Sequence, residues 1–299
     1  MSEIHDIYMT DDADGPAWRL MLGDSCERLA EIADDSIGLS VYSPPFASLF
    51  TYSPSPRDLG NSATRGEFIE HYAFIIRENL RVTMPGRICA VHVQQLTSTK
   101  STHGVIGLTD FRGEVIRAYI DAGWIFHGEV TVDKDPQAQA IRTKAQALMF
   151  VTKNRDSSMT RPALADYLLL FRKPGDNAVP IKNDVSNEEW IEWARPVWLG
   201  IRETHTLNSR VARESADEKH ICPLQLDFID RVIRLWSNPG ETVLTPFAGI
   251  GSEVHQAVKL GRRGIGIELK PSYWRTAVDN LRRLDADMAV PVLFEEASA

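Results

Sequence analysis

Apolar residues near the carboxyl terminus form a short continuous run, then a segment with helical spacing, then a second run. The first run covers residues 242–245 and ends at a glycine-containing turn, and the helical spacing covers about 252–260. The second run is 264–268, and Pro271 follows at a position that suits the first turn of a helix, where its missing amide is harmless. This order predicts the strand, helix and strand unit of a parallel, doubly wound sheet.

The amino-terminal part repeats this alternation. We expect Ser25 to cap the first helix, and Pro85 with Gly86 to turn the chain from a helix into a strand. The pattern predicts an α/β protein with a doubly wound, Rossmann-like sheet and helices on both faces. The predicted strands are 18–24, 37–43, 87–93, 124–132 and 166–173, and the predicted helices are 25–33, 66–84 and 112–123.

Two stretches interrupt the alternation, because 134–163 and 174–218 have weak periodicity and many polar residues. Long irregular inserts in a compact domain are often functional. We therefore predict three parts of the chain. These are 16–133, the first half of the main domain; 134–218, an inserted recognition region that returns to the sheet at about 164–173; and 219–290, the second half.

Composition and charge narrow the class of protein. The chain has 299 residues and is 43% hydrophobic, which is enough for a substantial core. Its net charge of −8 disfavours a protein that coats nucleic acid. Residues 134–173 are different, since they hold eight basic and three acidic side chains and so carry a local positive surplus. That segment is either a solvated surface or a binding face for an anionic partner.

Targeting signals and cysteine usage predict a cytoplasmic location. No run approaches the roughly 18 apolar residues of a membrane span, and the amino terminus is acidic, unlike a secretory signal. We therefore expect no membrane partner. Cys26, Cys89 and Cys222 form no CxxC pair and are odd in number, so the sequence predicts neither a disulfide framework nor a metal site.

A strand-like run ends abruptly in VYSPPF, residues 41–46. Proline cannot donate to a sheet ladder and restricts the residue before it, so Pro44 and Pro45 end the strand and stiffen the following backbone. Taken alone, this segment is as readily a strand-terminating turn as a functional one.

A glycine turn, TPFAGIGS at 245–252, stands between a predicted strand and helix. Gly249 and Gly251 would let a ligand approach the backbone and the amino-terminal end of the helix. Glu268 ends the next strand and is placed to accept hydrogen bonds from ribose hydroxyls. Val254 occupies the third glycine position of GxGxxG, which disfavours a dinucleotide but allows adenosine cofactors without a pyrophosphate.

Together, the two motifs resemble those of S-adenosylmethionine-dependent DNA amino-methyltransferases of the permuted group, in which the catalytic motif precedes the cofactor loop. Residues 43–46 match the family signature of Ser, Asp or Asn, then Pro-Pro and an aromatic residue. Residues 245–251 match Asp-Pro-Phe-x-Gly-x-Gly except at Thr245, where the family has a carboxylate. Gly23-Asp24 and the segment 219–226 also fit the family pattern.

The resemblance implies S-adenosyl-L-methionine as cofactor, with Asp24 at its adenine part. The implied catalytic residues are Ser43, Pro44, Pro45 and Phe46. The implied cofactor-binding residues are Asp24, His220, Thr245, Pro246, Phe247, Ala248, Gly249, Gly251, Ser252 and Glu268.

The chemistry of the reaction explains the SPPF segment. An exocyclic amine on adenine or cytosine is a poor nucleophile, because its lone pair is delocalised into the ring. Hydrogen bonds from this amine to the Ser43 side chain and the Pro44 carbonyl would expose the lone pair to the sulfonium methyl. Phe46 would stack on the extruded base, a contact worth about 1–3 kcal/mol.

The target atom stays open between two amines. Within the family, a serine at the first position of the catalytic motif favours N4 of cytosine as the target. Solitary enzymes of this class, however, often act on N6 of adenine. Methylation at cytosine carbon 5 is not expected, because it needs a nucleophilic thiol, typically in Pro-Cys, and Cys222 instead precedes a proline.

The expected partner is double-stranded DNA, and the resemblance implies a homodimer. Gln137, Gln139 and Asn154 are further expected readers of adenine edges. We interpret the three tryptophans of 190–198 first as core or interface residues, with base stacking or intercalation as the alternative. His92 and Gln94 are candidates to line the site, although a buried, hydrogen-bonded histidine is the favoured interpretation of His92. The expected DNA contacts are Lys134, Arg142, Lys144, Arg155, Arg161 and Asn208.

Two other functions remain open at this point. An RNA or protein-glutamine amino-methyltransferase would use the same Pro-Pro-aromatic chemistry, although the order of the motifs disfavours it. A non-catalytic subunit that keeps the fold is favoured only by Thr245.

Overall fold

The computed structural model describes residues 8–45, 57–62, 64–98, 104–182, 184–207 and 223–289. These ranges contain one nine-stranded sheet and a separate two-stranded hairpin. The strands are β1 (Asp11–Asp14), β2 (Trp18–Leu22), β3 (Ile37–Tyr42), β4 (Thr83–Gln94), β5 (Leu96–Ser98), β6 (Gly107–Thr109), β7 (Ile125–Val132), β8 (Asp166–Arg172), β9 (Val197–Trp198), β10 (Thr242–Thr245) and β11 (Arg263–Glu268).

The order of the sheet is β1-β2-β11-β10-β3-β4-β8-β7-β9. Five neighbouring strands of the sheet run parallel to one another, namely β2, β11, β10, β3 and β4. The next strand, β8, is antiparallel to both of its neighbours, β4 and β7. The α-helices of the described ranges are α1 (Ser25–Arg28), α2 (Arg65–Val82), α3 (Phe111–Asp121), α4 (Pro136–Thr143), α5 (Phe150–Arg155), α6 (Asn187–Trp193), α7 (Leu226–Trp236), α8 (Ser252–Lys259) and α9 (Pro271–Ala289).

Helices cover both faces of the sheet. Side chains alternate between the faces along a strand, so Tyr42 and Val41 of β3 enter different hydrophobic clusters. Tyr42 packs with Tyr72 of α2 and Tyr119 of α3, whereas Val41 packs in the cluster that contains Ile229 of α7. The predicted doubly wound α/β fold is confirmed.

The direction of winding reverses between β3 and β10. From β3 the chain passes through α2 to β4 on one side, and from β10 it passes through α8 to β11 on the other. Ser40 lies opposite Leu244 in the parallel register of these two strands. The segments that follow Tyr42 and Thr245 therefore leave the sheet side by side, where ligands bind in open α/β sheets.

Two predicted details of the amino-terminal half are wrong. The N-cap of α1 is Asp24, whose carboxylate accepts a 2.9 Å hydrogen bond from the Cys26 amide, and Ser25 is the first helical residue. Pro85 and Gly86 lie inside β4 and do not precede it. They occupy a bulge opposite β3, where a proline without a donor is tolerated and Gly86 takes a φ of 72°.

The two irregular stretches differ in their relation to the sheet. Residues 134–163 carry α4 and α5 between β7 and β8, whereas 174–207 carry α6 and supply β9, the edge strand beside β7. Trp198 of β9 is buried in the core, as expected, while Trp190 is exposed. The division of the chain into three parts stays a prediction.

Burial raises the pKa of the Cys26 and Cys89 thiols to about 12, so both stay protonated at neutral pH. Among the described residues no helix is both long and apolar enough to cross a membrane. The same ranges hold no group of three or more His, Cys, Asp or Glu side chains suited to a metal ion.

Gly264 of β11 is required by the close approach of α8. A Cβ at this position would lie 2.7 Å from Cγ1 and 3.1 Å from Cα of Val254, and the backbone contact cannot be relieved by a rotamer change. We expect Gly264→Ala to lower the free energy of unfolding by about 1–3 kcal/mol in denaturant titrations. Gly128→Ala in β7 is the control, since its Cβ would meet nothing within 4 Å. Equal losses in both variants would contradict this account.

Candidate functional site

One pocket opens where the carboxyl ends of β3, β10 and β11 meet. Residues 43–45 line it on the β3 side, and residues 246–250 line it on the β10 side. Further walls come from the start of α1, from residues 57–59 and from Tyr273 of α9. The structure therefore brings the two sequence motifs to one cavity, although about 200 residues separate them.

The glycine loop after β10 is held by side chains from distant elements. Ser25 Oγ donates a 2.5 Å hydrogen bond to the Pro246 carbonyl, and Asn280 Nδ2 donates to the Ile250 carbonyl at 3.0 Å. Gly249 and Gly251 have φ values of 52° and 86°, in the left-handed region that favours glycine. A Cβ at Gly249 would meet nothing within 4 Å, so open space lies beside the loop.

Glu268 fixes the loop to the end of β11. Its Oε2 accepts a 2.7 Å hydrogen bond from the Gly249 amide, and its Oε1 accepts one of 2.8 Å from the Lys270 amide. Burial raises the pKa of Glu268 to about 7. Each carboxylate oxygen can accept a second hydrogen bond, so Glu268 can hold the loop and still bind a ligand hydroxyl.

Asp24 lines the same pocket from the start of α1. Its Oδ1 caps the helix, while its Oδ2 lies 3.3 Å from Nη1 of Arg57. The same guanidinium nitrogen contacts Glu27 at 2.5 Å. Arg57 therefore neutralises part of the negative charge that Asp24 and Glu27 place at the rim of the pocket. No local pattern in the sequence indicated this role.

A chain of buried polar groups lies behind Ser43. Ser43 Oγ is 3.1 Å from Nδ1 of His92, and His92 Nε2 is 2.9 Å from Oδ2 of Asp166. Lys134 Nζ lies 2.6 Å from the same oxygen, and Gln94 Nε2 donates to Asp166 Oδ1 at 2.8 Å. Burial opposes the charged form of Asp166, but His92 and Lys134 more than offset it and hold its pKa below the ordinary value.

The expected DNA contacts differ in their exposure to solvent. Lys134 is not on the surface: its side chain is 3% exposed and paired with Asp166, so the prediction of a phosphate contact is wrong for this residue. Gln139 is likewise buried, and its amide bonds the Leu164 backbone. Arg161 is partly exposed and donates to the Pro162 carbonyl.

Several predicted residues keep surface positions or lie outside the described structure. Lys144 and Arg155 are exposed, as are Gln137 and Asn154, and their roles remain predictions. The predicted positions outside the described structure are Phe46, Asn208, His220, Cys222 and the side chain of Arg142.

Sequence reasoning did not assign functional positions to Glu253, Asp58, Arg57 or Tyr273, all of which line the pocket. Glu253 directly follows the TPFAGIGS segment, and its position in the first turn of α8 was a usable signal. Asp58, Arg57 and Tyr273 come from other segments, and only the fold brings them to the cavity.

Comparisons with known proteins identify Type II methyltransferases that are similar to this chain in sequence. The Type II methyltransferase M.MjaI of Methanocaldococcus jannaschii is 23% identical over 287 residues, covering 85% of this chain and 88% of the relative. The Type II methyltransferase M.BglI, from Bacillus subtilis, is 32% identical over 117 residues, which are 39% of this chain and 30% of the relative.

Solved structures share the fold. TTHA0409 of Thermus thermophilus superimposes with a TM-score of 0.66 at 22% identity, covering 88% of this chain and 93% of that one. A structure of TTHA0409 complexed with S-adenosyl-L-methionine gives 0.65 at 21% identity, covering 88% and 94% of the two chains. The cytosine-N4-specific PvuII DNA methyltransferase gives 0.64 at 17% identity, covering 90% of each chain.

The family of N6 and N4 methyltransferases, described as DNA methylase, matches residues 37–279. The match spans β3, β10 and the pocket between their ends. This chain therefore belongs to the DNA methylase family of amino-methyltransferases, which act on N6 of adenine or N4 of cytosine.

Proposed function

We propose that this DNA methylase transfers a methyl group from S-adenosyl-L-methionine to an exocyclic amine of a base extruded from double-stranded DNA. The observation that carries the proposal is that residues 43–45 and residues 246–250 line the same pocket. The cofactor complex of TTHA0409 supports the choice of cofactor. Cytosine-N4 specificity belongs to the PvuII enzyme, so N6 of adenine and N4 of cytosine both stay within the proposal.

The pocket suits each part of such a cofactor. Phe247 and Ile250 offer apolar surface for an adenine ring, and Glu268 offers a carboxylate for the ribose hydroxyls. Thr245 Oγ1 and Ser252 Oγ are buried, and neither has a hydrogen-bond partner among the described residues. Of these two residues only Ser252 lines the pocket, so its hydroxyl is available to a polar ligand, whereas Thr245 lies behind the lining. The bound cofactor would supply a methyl group on a positively charged sulfur.

The chain itself positions the target amine. Ser43 Oγ and the Pro44 carbonyl are the proposed acceptors for the two amine hydrogens, and the proline pair holds them still. The amine nitrogen supplies the electron pair of the new N–C bond, the C–S pair stays on sulfur, and the methylated nitrogen then releases one proton to solvent water. Because this mechanism needs no covalent enzyme intermediate, the residues contribute through position and charge.

The inserted segment 134–163 is the proposed DNA-contacting region. Its exposed cations include Lys144, Lys153 and Arg155, on or beside α4 and α5. Such side chains bind phosphates without reading sequence, and polar neighbours read base edges. A homodimer is proposed from the family resemblance, and sedimentation equilibrium of the purified protein measures it.

A single labelling experiment separates the proposed function from its alternatives. The protein is incubated with methyl-labelled S-adenosyl-L-methionine and with unmethylated duplex DNA, RNA or a protein extract. Label in DNA supports the proposal, and digestion to nucleosides then identifies the base. Label only in RNA or protein would favour the second class of methyltransferase. Absence of cofactor binding would favour a non-catalytic subunit, the alternative that Thr245 supports.

Ser43→Ala removes one of the two proposed amine acceptors. We expect the single-turnover methylation rate to fall about 100-fold, since loss of one positioned electrostatic group costs about 10²–10³ in rate. The cofactor Kd should stay within about twofold, because the hydroxyl acts on the amine. Equilibrium binding and rapid-quench kinetics measure the two quantities. A large loss of cofactor affinity would assign Ser43 to the cofactor.

Removing two exposed cations of α5 tests the DNA face. The double variant Lys153→Ala and Arg155→Ala should reduce the slope of log Kd against log salt by about 1.8, which corresponds to two lost phosphate contacts. The matched control is Arg282→Ala with Arg283→Ala, on exposed positions of α9, a helix that packs on β2 and β11 towards the other edge of the sheet. An identical salt slope in both double variants would remove α5 from the interface.

Glu253 makes stability depend on pH. Burial raises the pKa of this pocket carboxyl to about 8, so the folded chain holds a proton that the unfolded chain releases near 4.5. Between these values the unfolded state binds fewer protons, and stability falls as pH rises, by at most about 1.4 kcal/mol per pH unit from this group. Glu253→Gln, which does not titrate, should gain Tm relative to the wild type progressively from pH 5 to 8. Parallel Tm curves would contradict the raised pKa.

A further inference from the structure

The Ser43 hydroxyl is held from behind by groups that the proposed reaction does not touch. His92 lies near the end of β4, Asp166 begins β8 and Lys134 follows β7, so three adjacent strands converge behind the end of β3. Each of these three residues is at most 7% exposed. The order of contacts is Ser43 Oγ to His92 Nδ1, then His92 Nε2 to the Asp166 carboxylate, which also contacts Lys134 Nζ.

Asp166 determines which nitrogen of His92 carries the proton. An ionised carboxylate only accepts hydrogen bonds, so the nitrogen facing it, Nε2, is the protonated one in a neutral ring. Nδ1 is then an acceptor.

The state of Nδ1 decides which of two acceptors the Ser43 hydroxyl faces, because Ser43 Oγ lies 3.1 Å from His92 Nδ1 and 3.3 Å from the His92 carbonyl oxygen. With Nδ1 as an acceptor, the Ser43 O–H donates to it across 3.1 Å. Both lone pairs of Ser43 Oγ are then available towards the pocket that Ser43 lines. If Nδ1–H donated to Ser43 Oγ, the hydroxyl would donate to the His92 carbonyl oxygen instead, and the ring would occupy one of the two lone pairs of Oγ.

We infer that His92, in the Nε2–H tautomer selected by the Asp166–Lys134 pair, is a positioning residue that takes the Ser43 hydroxyl hydrogen and so makes Ser43 Oγ an acceptor for the target amine. This inference rests on the proposed function, in which Ser43 accepts a hydrogen bond from that amine. It gives a role to Lys134, which sequence reasoning had assigned to DNA, and to Asp166, which sequence reasoning had left without one.

The same three residue types in series also occur in acyl-transfer enzymes, where the serine is a nucleophile. Here the ring is reversed, with Nδ1 towards the serine and Nε2 towards the carboxylate. Ser43 takes part in no covalent step in this scheme. Modification of Ser43 by a fluorophosphonate probe would make it a nucleophile and overturn the inference.

The tautomer is measurable without any turnover. In the full-length protein, long-range ¹H–¹⁵N NMR distinguishes a protonated from an unprotonated ring nitrogen, and the His92→Asn spectrum identifies the His92 signals among the eight histidines. We expect an Nε2–H, Nδ1-unprotonated ring at neutral pH. The double variant Lys134→Met with Asp166→Asn removes both buried charges together and should shift the ring towards a tautomer mixture. An Nδ1–H ring in the wild type would overturn the inference.

Isosteric variants separate positioning from simple packing. The amide oxygen of His92→Asn can occupy the place of Nδ1, whereas His92→Gln places its amide near Nε2 and leaves Ser43 without that acceptor. We expect His92→Gln to lose about 100-fold in single-turnover methylation, as small misplacements at reacting groups do, and His92→Asn to recover most of that loss. His127→Asn, at an exposed histidine of β7, is the control.

The readouts distinguish two kinds of failure. Cofactor Kd should stay within about twofold in all His92 variants, because the effect acts through Ser43. Equal activity of the Asn and Gln variants would show that the acceptor at Nδ1 is not used and would overturn the inference. Absence of methyl transfer by the wild type overturns the proposed function, whereas an Nδ1–H ring overturns this inference whatever the activity.

Discussion

The parallel pairing of β3 with β10 is the interaction on which the rest of the site depends. These strands come from opposite ends of the chain, and the pairing of Leu39 with Val243 and Ser40 with Leu244 sets their register. Because a parallel pair ends at the same edge of the sheet, the proline-stiffened segment and the glycine loop emerge together. A one-residue slip would turn Tyr42 and Val41 to the wrong faces, so the two hydrophobic clusters reinforce the register.

The buried polar groups behind Ser43 connect this edge to the antiparallel part of the sheet. Asp166 lies opposite Gln94 in the register of β4 and β8, which places its carboxylate beside His92 and Lys134. Three strands must therefore be correctly paired before the network closes. Since an unpaired buried charge is costly, removing one partner of the Asp166–Lys134 pair would penalise the native arrangement strongly. The inserted segment between β7 and β8 starts and ends at this pair, which anchors it next to the site.

Local sequence patterns predicted the elements well where apolar runs were long or punctuated by glycine and proline. The strands β3, β8, β10 and β11 and the helices α2, α3 and α8 lie close to their predicted positions. The features that these patterns did not predict are short or depend on neighbouring strands. β9 has two residues and exists because it pairs with β7, and Pro85 with Gly86 reads as a turn until a neighbouring strand accommodates the bulge. The secondary-structure propensity of a segment does not show which strand will pair with it. The two-residue strand β9 and the bulge in β4 could therefore not be predicted from propensity.

The sequence by itself determined which functional groups the site contains. These are a serine before two prolines, a glycine loop, and an acidic residue at the end of the next strand. These are local features, set by backbone restriction and spacing, and they sufficed to indicate the family. Only the tertiary structure decided that Lys134 is a buried counter-ion and that His92 stands behind Ser43. The physical reason is that burial and charge pairing depend on which strands become neighbours. In this chain those neighbours are set by long-range sheet pairing, which no local pattern encodes.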